Sequence, residues 1–177
     1  MASGLVQTVG GKGSQLEDEI VQLYEAAFKG LFRYAMAIIR DRELAEDAIQ
    51  ECFLRYFIAR KEGQSILNAR AWLYRVLRNR LLDLKKSARL NYDVSIEAAV
   101  RYPDWTQSPE AHLRRAELSR DLLAPLTARE QECFQLRLEG LRYDEIATVL
   151  RIRSGTVGAM LARALNKIQR VMDRERN

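Results

Sequence analysis

The chain has 177 residues, of which 47% are hydrophobic and 30% are charged, which is enough apolar material for one or two small cores. Glycine (9) and proline (3) are scarce, so the composition favours helices over a turn-rich β fold, and the lack of an apolar run near ~20 residues excludes a membrane span. The net charge of +5 suits a polyanionic partner; it is concentrated in two basic blocks, residues 69–90 and residues 137–177, which flank an acidic stretch.

The N-terminal half predicts a leader followed by three helices. Residues 1–15 contain four glycines and no basic-then-apolar signal pattern, so we expect a disordered leader and an intracellular, soluble protein. Asp41 and Asn68 are good N-caps for the second and third helices. Apolar residues recur at helical spacing in all three, which together enclose one small core. The predicted bounds are Leu16 to Ile39, Glu43 to Arg60, and Asn68 to about Leu90.

The third helix carries the first basic block, with seven cations against Asp83. Together with Trp72 and Tyr74, this stripe could follow a phosphate backbone and offer flat rings to unpaired bases. Trp72 fits the core better than the surface, whereas the number of cations exceeds what solubility requires. The stripe is therefore predicted to bind nucleic acid.

A second helical domain is predicted after a flexible linker. Residues 91–109 lose the helical pattern and contain two prolines among polar and acidic residues, which indicates a linker. Periodicity resumes at about Glu110, and Thr127 with Glu130 forms a capping-box pattern. The capped helix is expected to end near Gly140 and to bury four residues, namely Cys133, Phe134, Leu136 and Leu138. Cys133, like Cys52, is predicted to be a buried free thiol.

Residues 142–165 have the spacing of a helix-turn-helix. A short helix from Tyr143 to Leu150 is followed by the break Arg151-Ile152-Arg153 and a last helix from Ser154 to about Asp173. Ser154 is predicted to cap the last helix, whose first-turn amides could then face a phosphate and whose exposed face could enter the major groove. An αα-hairpin without a DNA role is the alternative. No strand pattern occurs, so an all-α chain is predicted.

Three stretches in order resemble the extracytoplasmic-function (ECF) RNA polymerase sigma factors. AEDAIQECFLRYF (45–57) resembles their polymerase-binding segment, and ARAWLYRVLRNRLLDLKK (69–86) resembles the segment that melts the promoter and reads the −10 element. LTAREQECFQLRLEGLRYDEIATVLRIRSGTV (126–157) is similar to their −35-binding domain. The resemblance implies a leader (1–15), a three- to four-helix sigma region 2 (16–90), an acidic linker (91–109) and a helix-turn-helix sigma region 4 (110–177).

The resemblance also implies roles for matched positions and partners for the chain. It implies a bacterial, cytoplasmic initiation factor without cofactor or catalytic site, which binds the β′ clamp and β flap of core RNA polymerase, promoter DNA and an anti-sigma factor. The implied polymerase-binding residues are Asp47, Gln50, Glu51, Leu54 and Arg55. The implied −10 residues are Arg75, Arg78, Asn79, Arg80, Asp83, Lys85 and Lys86. The expected −35 residues are Arg142, Arg153, Ser154, Thr156, Arg163 and Lys167.

The chain departs from the family pattern in its last predicted helix, which the resemblance implies to be the recognition helix that enters the major groove. The family often has a basic-small-basic run after Thr-Val, whereas this chain has Gly158-Ala159-Met160. Two side chains expected at the DNA are therefore missing, and Arg153, Ser154, Thr156 and Arg163 are expected to make most of the contact. Lys85 and Lys86 stand where the family often has arginine, so the charge is kept but the planar fork is lost.

Three other functions compete with this interpretation. The helix-turn-helix also resembles that of LuxR-type regulators, but residues 16–90 lack the strand pattern of a receiver domain. A nucleic-acid enzyme would need clustered carboxylates or a paired nucleophile, yet Asp83 is alone in its block and His112 is the only histidine. A helical adaptor that binds protein alone leaves both basic blocks unexplained.

Overall fold

The computed structural model describes residues 10–87 and 121–175, which contain helices and no strand. Within these two ranges, no helix is both long enough and apolar enough to cross a bilayer. The predicted linker 91–109, the start of the second domain at residues 110–120, and residues 1–9 of the leader lie outside the described residues. The helices are α1 (Gly10–Ile39), α2 (Arg42–Lys61), α3 (Ala69–Ser87), α4 (Ala128–Leu138), α5 (Tyr143–Leu150) and α6 (Ser154–Glu175).

Helices α1, α2 and α3 pack against one another as an N-terminal bundle. Both predicted caps form: the Asp41 carboxylate accepts a hydrogen bond from the Leu44 amide at 3.0 Å, and the Asn68 side-chain oxygen accepts one from the Ala71 amide at 2.9 Å. The bundle core is apolar and aromatic, and its fully buried members include Leu31, Ile49, Tyr56 and Leu77.

Helix α1 begins earlier than the sequence pattern indicated. Residues 10–15, predicted as part of a disordered leader, belong to the helix, which starts at Gly10. Extending an existing helix adds about one hydrogen bond for each residue that is fixed, whereas nucleation is the costly step. A glycine-rich segment can therefore continue a helix whose core-facing part is stabilised by packing.

Helices α4, α5 and α6 form a C-terminal bundle with the predicted boundaries. The capping box of α4 is present, with the Thr127 hydroxyl accepting from the Glu130 amide and the Glu130 carboxylate accepting from the Thr127 amide. Gly140 follows α4 with a φ of +84°, a left-handed conformation that glycine adopts without steric cost. The chain then turns into α5. Arg151, with a φ of +56°, follows α5 and also has a left-handed backbone conformation.

Helix α4 buries a different set of residues from the one predicted. Leu138 is 62% exposed, so its predicted burial is wrong, whereas Cys133 and Leu136 are fully buried as expected. The adjoining side of the helix is buried too, although it is polar: Glu132, Gln135 and Glu139 are each less than a tenth exposed. Helix α4 therefore has two buried faces, one apolar and one polar.

The polar face of α4 is buried because the two bundles pack together. Helix α3 lies against α5, and the buried apolar residues of both bundles form one continuous cluster. Glu132 of α4 and Glu139, the residue that directly follows α4, meet cations of α3 and α1 across this junction. The arrangement places the basic helix α3 next to the helix-turn-helix bundle.

Candidate nucleic-acid interface

The helix-turn-helix is built on a small apolar core that leaves the start of α6 open. Ile146 and Val157 are fully buried and hold α5 against α6. Arg153, Ser154 and Thr156 are exposed at the start of α6, so a cation and two hydroxyls can reach a DNA groove.

Ser154 has a different position from the one predicted. The helix begins at Ser154 itself, and the amides of Thr156 and Val157 donate to the carbonyl of Arg153 at 2.9 and 3.2 Å. Ser154 is thus the first helical residue rather than the preceding cap. The carbonyl of Arg153 accepts the first hydrogen bonds of the helix, and Ser154 is exposed.

Two of the predicted −35 cations are held by a carboxylate of α4. The Lys167 ammonium lies 2.7 Å from Glu130, and the Arg163 guanidinium lies 3.6 Å from the same carboxylate. Burial alone would raise the pKa of Glu130, but hydrogen bonds from Lys167 and Thr127 hold that pKa below its ordinary value. Lys167 therefore has a structural partner, while the Arg163 side chain is still 61% exposed.

One position of the atypical run in α6, Met160, has a structural explanation. Met160 is buried, so this position belongs to the core rather than to a groove face. A Cβ on Gly158 would lie 3.6 Å from the ring of Tyr143, which is 45% exposed and has the Arg137 guanidinium 5.8 Å from its centroid. Tyr143 and Arg137 thus flank the recognition helix, although the pattern of cations did not identify them.

Arg142, at the other end of α5, is exposed and faces acidic neighbours. Its guanidinium lies 3.2 Å from Asp144 and 3.5 Å from Glu145. Its backbone amide also donates to Glu145. Exposed pairs of this kind hold a side chain weakly, so Arg142 is free to exchange these partners for a phosphate.

The basic helix α3 has its cations in three different environments. Arg78 is bound by Glu132 and its side chain is only 15% exposed. Arg80 lies 2.7 Å from Glu51 of α2. The other predicted −10 residues lie on α3 without full burial: Asp83 and Lys86 are exposed, and Arg75, Asn79 and Lys85 are partly buried.

The aromatic residues of α3 do not form a base-stacking surface. Tyr74 is fully buried, and burial and the nearby Glu139 raise its pKa, so its predicted availability to an unpaired base is wrong for this conformation. Trp72 is partly buried and packs edge-on against Tyr56, with ring centroids 5.6 Å apart. Both rings stabilise the N-terminal bundle.

The predicted polymerase-binding face lies along α2. Asp47, Gln50 and Arg55 are exposed, and Leu54 is 58% exposed between them. Glu51 is the exception, because it is partly buried between Arg55 and Arg80 at 2.5 and 2.7 Å. The face combines an apolar side chain with charges of both signs, as protein–protein contact surfaces do.

Residues that sequence reasoning missed lie at the junction of the bundles. Glu132 and Glu139 bind Arg78 and Arg33 there. The available signal was the i, i+3, i+7 spacing of Glu132, Gln135 and Glu139, which places three polar side chains on one helix face. Such a face is ordinarily solvated, so spacing alone does not indicate burial.

Comparison with known proteins shows similarity over almost all of this architecture. The profile described as "Sigma-70 region 2" matches residues 23–90, and "Sigma-70, region 4" matches residues 117–168. ECF RNA polymerase sigma factor SigL of Mycobacterium tuberculosis is 34% identical over 151 residues, covering 83% of this chain and 85% of that protein. ECF RNA polymerase sigma factor SigM of Bacillus subtilis is 25% identical over 159 residues, covering 89% of this chain and 95% of that protein.

A solved structure shares the fold of both bundles. It is the sigma factor RpoE of Bartonella quintana, in complex with the anti-sigma factor NepR. The likeness has a TM-score of 0.63 at 19% sequence identity and covers 88% of this chain and 97% of that one. At 19% identity, this similarity is evidence for a shared fold only.

Proposed function

The chain belongs to the ECF RNA polymerase sigma factors, and from this we propose which of its surfaces perform the steps of initiation. It is an alternative sigma factor that binds core RNA polymerase and directs it to promoter DNA. We assign core binding and −10 recognition to sigma region 2 in residues 16–90, and −35 binding to sigma region 4 in residues 110–177. Residues 91–109 are assigned to the acidic linker.

The observation that carries the assignment of region 4 is the exposed first turn of α6. Arg153, Ser154 and Thr156 are free of the bundle core while Val157 anchors the helix behind them. A helix held in this way can enter a major groove with its first turn leading. Arg163 can add a backbone contact, whereas Lys167 serves mainly to hold Glu130.

Region 2 divides its surface between protein and DNA. The exposed face of α2, centred on Leu54, is suited to the polymerase β′ clamp. The cations of α3 lie on a neighbouring helix, where they can follow the separated non-template strand. Opening the duplex costs a few kcal/mol for each base that is unstacked, and contacts to α3 offset part of that cost.

The remaining roles follow from family membership. The LuxR-type alternative is not favoured, because both sigma regions match in one chain. We propose that the chain acts in the bacterial cytoplasm as an initiation factor without catalytic activity of its own. We further propose that it contacts the β flap through region 4 and that an anti-sigma factor controls it.

Run-off transcription with purified core polymerase tests the assignment directly. Promoter-specific transcripts are expected only when the chain is present. Footprinting then compares Arg153→Ala with Arg163→Ala and Lys167→Ala: upstream protection should weaken most for Arg153→Ala and least for Lys167→Ala. Equal protection by all three variants would contradict the assignment of the first turn of α6.

A further inference from the structure

The helix-turn-helix carries a run of cations that no carboxylate of the same stretch balances. Between Glu145 and Asp173 the sequence contains no Asp or Glu. The five cations of this stretch are Arg151, Arg153, Arg163, Lys167 and Arg170. Solubility is ordinarily served by charges of both signs, interspersed on the surface and paired at i, i+4 along a helix. An uninterrupted run of one sign is instead suited to a polyanion.

The structure divides these cations into two kinds. Lys167 and Arg163 lie 2.7 and 3.6 Å from Glu130 of α4, so a carboxylate of another helix partly balances them. Arg151 and Arg153 are exposed, and their side chains form no ion pair, hydrogen bond or ring contact with the described part of the chain. We call Arg151 and Arg153 the turn pair, because they lie in the turn between α5 and α6 with only Ile152 between them.

The backbone fixes the position of the turn pair. The amide of Ile152 donates to the carbonyl of Ala147 at 3.0 Å, which closes the end of α5, and Ile152 packs against the apolar core. The carbonyl of Arg153 accepts from the amides of Thr156 and Val157 and so begins α6. The turn pair is therefore anchored beside the first turn of α6, while both guanidinium groups are available to a ligand.

Arg151 has a backbone conformation that glycine adopts more easily. Its φ of +56° lies in the left-handed region, which is unfavourable for a residue with a Cβ. Arg40, between α1 and α2, has the same conformation with a φ of +54°, so this strain does not by itself indicate a site. The neighbourhood distinguishes the two residues: Arg151 lies beside Arg153 and the proposed −35 surface, whereas Arg40 lies in region 2.

The middle of α6 offers few charges to DNA. Gly158 and Ala159 have no functional group, and Met160 is buried. Arg163 lies about 13 Å along the helix axis from Ser154 and is close to Glu130. Within residues 146–172, the unpaired cations at the leading end of α6 are therefore in the turn and not in the helix.

We propose that Arg151 is a further DNA-binding residue of region 4, and that the turn pair binds backbone phosphates at the edge of the −35 groove. This inference rests on the proposed −35 role of the first turn of α6 and extends it to a residue outside that helix. An arginine can bind a phosphate through two parallel hydrogen bonds. Phosphate contacts position a helix on the duplex but do not read its sequence. Ser154 and Thr156 then contact the bases, and the turn pair supplies affinity that is similar for every sequence.

The conformation of Arg151 allows the cation to be removed while the turn is kept. Glycine adopts a positive φ without steric cost, so Arg151→Gly should not lower Tm. Arg40→Gly is the matched control, because it makes the same change at the same backbone conformation in region 2. Arg170→Gln removes an exposed cation near the other end of α6 and controls for the net charge of the bundle. Arg151→Lys changes the side chain but keeps the charge.

Binding is measured with the holoenzyme and a duplex cut from a promoter that gives run-off transcripts. The duplex contains the −35 element and ends before the −10 element. Arg151→Gly should weaken binding by about five-fold at low salt, and should reduce the slope of log K against log salt concentration by about one, since one phosphate contact is lost. Arg151→Lys should keep the slope, and Arg40→Gly and Arg170→Gln should bind like the unchanged holoenzyme. An unaltered affinity and slope for Arg151→Gly would overturn the proposal.

A second duplex, with a scrambled −35 element, distinguishes a phosphate contact from a base contact. Arg151→Gly should lower the affinity for both duplexes by the same factor. Thr156→Ala, at a residue assigned to the bases, should lower it for the matched duplex alone. A loss that Arg151→Gly shows only on the matched duplex would mean that Arg151 reads a base, and the phosphate contact would be wrong.

The unchanged holoenzyme separates a failure of this inference from a failure of the proposed function. If it gives run-off transcripts but binds the matched and scrambled duplexes equally, the −35 assignment of α6 fails and the role of Arg151 fails with it. If it prefers the matched duplex and Arg151→Gly binds as the unchanged holoenzyme does, the −35 assignment stands and only the role of Arg151 is refuted.

Discussion

Replacing Gly30 with alanine adds one methyl group at the point where region 4 rests on α1. The new Cβ would lie within 2.7 Å of both a Glu139 oxygen and the Tyr74 hydroxyl oxygen. Neither atom moves away easily: Glu139 is held by Arg33 through both oxygens, and Tyr74 is fully buried. We call the arrangement in which the two bundles pack together closed, and one in which they are apart open. The substitution is therefore expected to penalise the closed conformation more than the N-terminal bundle itself.

Two opposing effects set the size of the change. Alanine stabilises a helix interior by about 1 kcal/mol relative to glycine, whereas overpacking a filled site costs about 1–3 kcal/mol. In the open conformation Glu139 has left, so the helix gain is opposed by the Tyr74 contact alone. We expect the closed-to-open equilibrium to move toward open by about 1–2 kcal/mol, which is about ten-fold.

A distance measurement between spin labels on Ser65→Cys and Gln169→Cys, at exposed positions of the two regions, together with thermal unfolding, distinguishes these effects. The native Cys52 and Cys133 are buried and stay unlabelled. The Gly30→Ala chain should show a broadened distance distribution and a small change in Tm. Adding Tyr74→Phe removes the hydroxyl from the contact but leaves Glu139, so the double variant should remain open while region 2 regains stability. An unchanged distance distribution with a Tm increase of about 2–4 °C, the full value of the helix gain for a unit of this size, would refute the reasoning.

Three further predictions concern the polymerase face, the α4 cap and the thiols. Leu54→Ala should weaken core polymerase binding by about ten-fold, as for a central interface residue, and should leave Tm unaltered; Leu67→Ala, at a 99% exposed loop leucine, is the control in the same titration. Glu130→Gln should lower the free energy of unfolding by about 1 kcal/mol at neutral pH. The pKa of Glu130 is lower in the folded than in the unfolded chain, so the stabilisation is present above the unfolded pKa and is lost as the pH falls through the folded pKa. The variant and the unchanged chain should therefore converge in acid denaturation curves. Burial raises the pKa of Cys52 to about 12 and that of Cys133 to about 11, so both thiols should react with a thiol reagent at neutral pH only after denaturation, and rapid reaction of the folded chain would contradict their burial.

The sequence allowed the helices, three of their four predicted caps and the helix-turn-helix to be predicted, because each depends on local chemistry, whereas the predicted cap Ser154 is the first residue of α6. Asp41, Asn68 and Thr127 cap the helices that they were expected to cap. Periodicity located the core faces wherever one side of a helix faces water. The family resemblance, confirmed by the comparisons, supplied the functional class that periodicity could not.

The environment of the site residues depended on contacts between distant parts of the chain. Arg78 and Glu132 are 54 positions apart and Arg33 and Glu139 are 106 apart, so no local pattern joins them. Helix α4 was misjudged at Leu138 for the same reason, since its second buried face is polar and hydrophobicity does not mark it. Tyr74 looked available to bases because its flat ring lies on the basic helix, yet α1 and region 4 enclose it.

The junction between the two bundles combines apolar packing with ion pairs, and salt acts differently on these two parts. The buried apolar residues of both bundles form one continuous cluster, which screening by salt does not weaken. The Arg33–Glu139 pair is different, because the Arg33 side chain is 44% exposed and dissolved ions can screen it. Rising salt should accordingly broaden the distance distribution between the two bundles without separating them completely, since the apolar cluster still holds them together. Complete separation at moderate salt would show that the ion pairs, and not the apolar cluster, hold the two bundles.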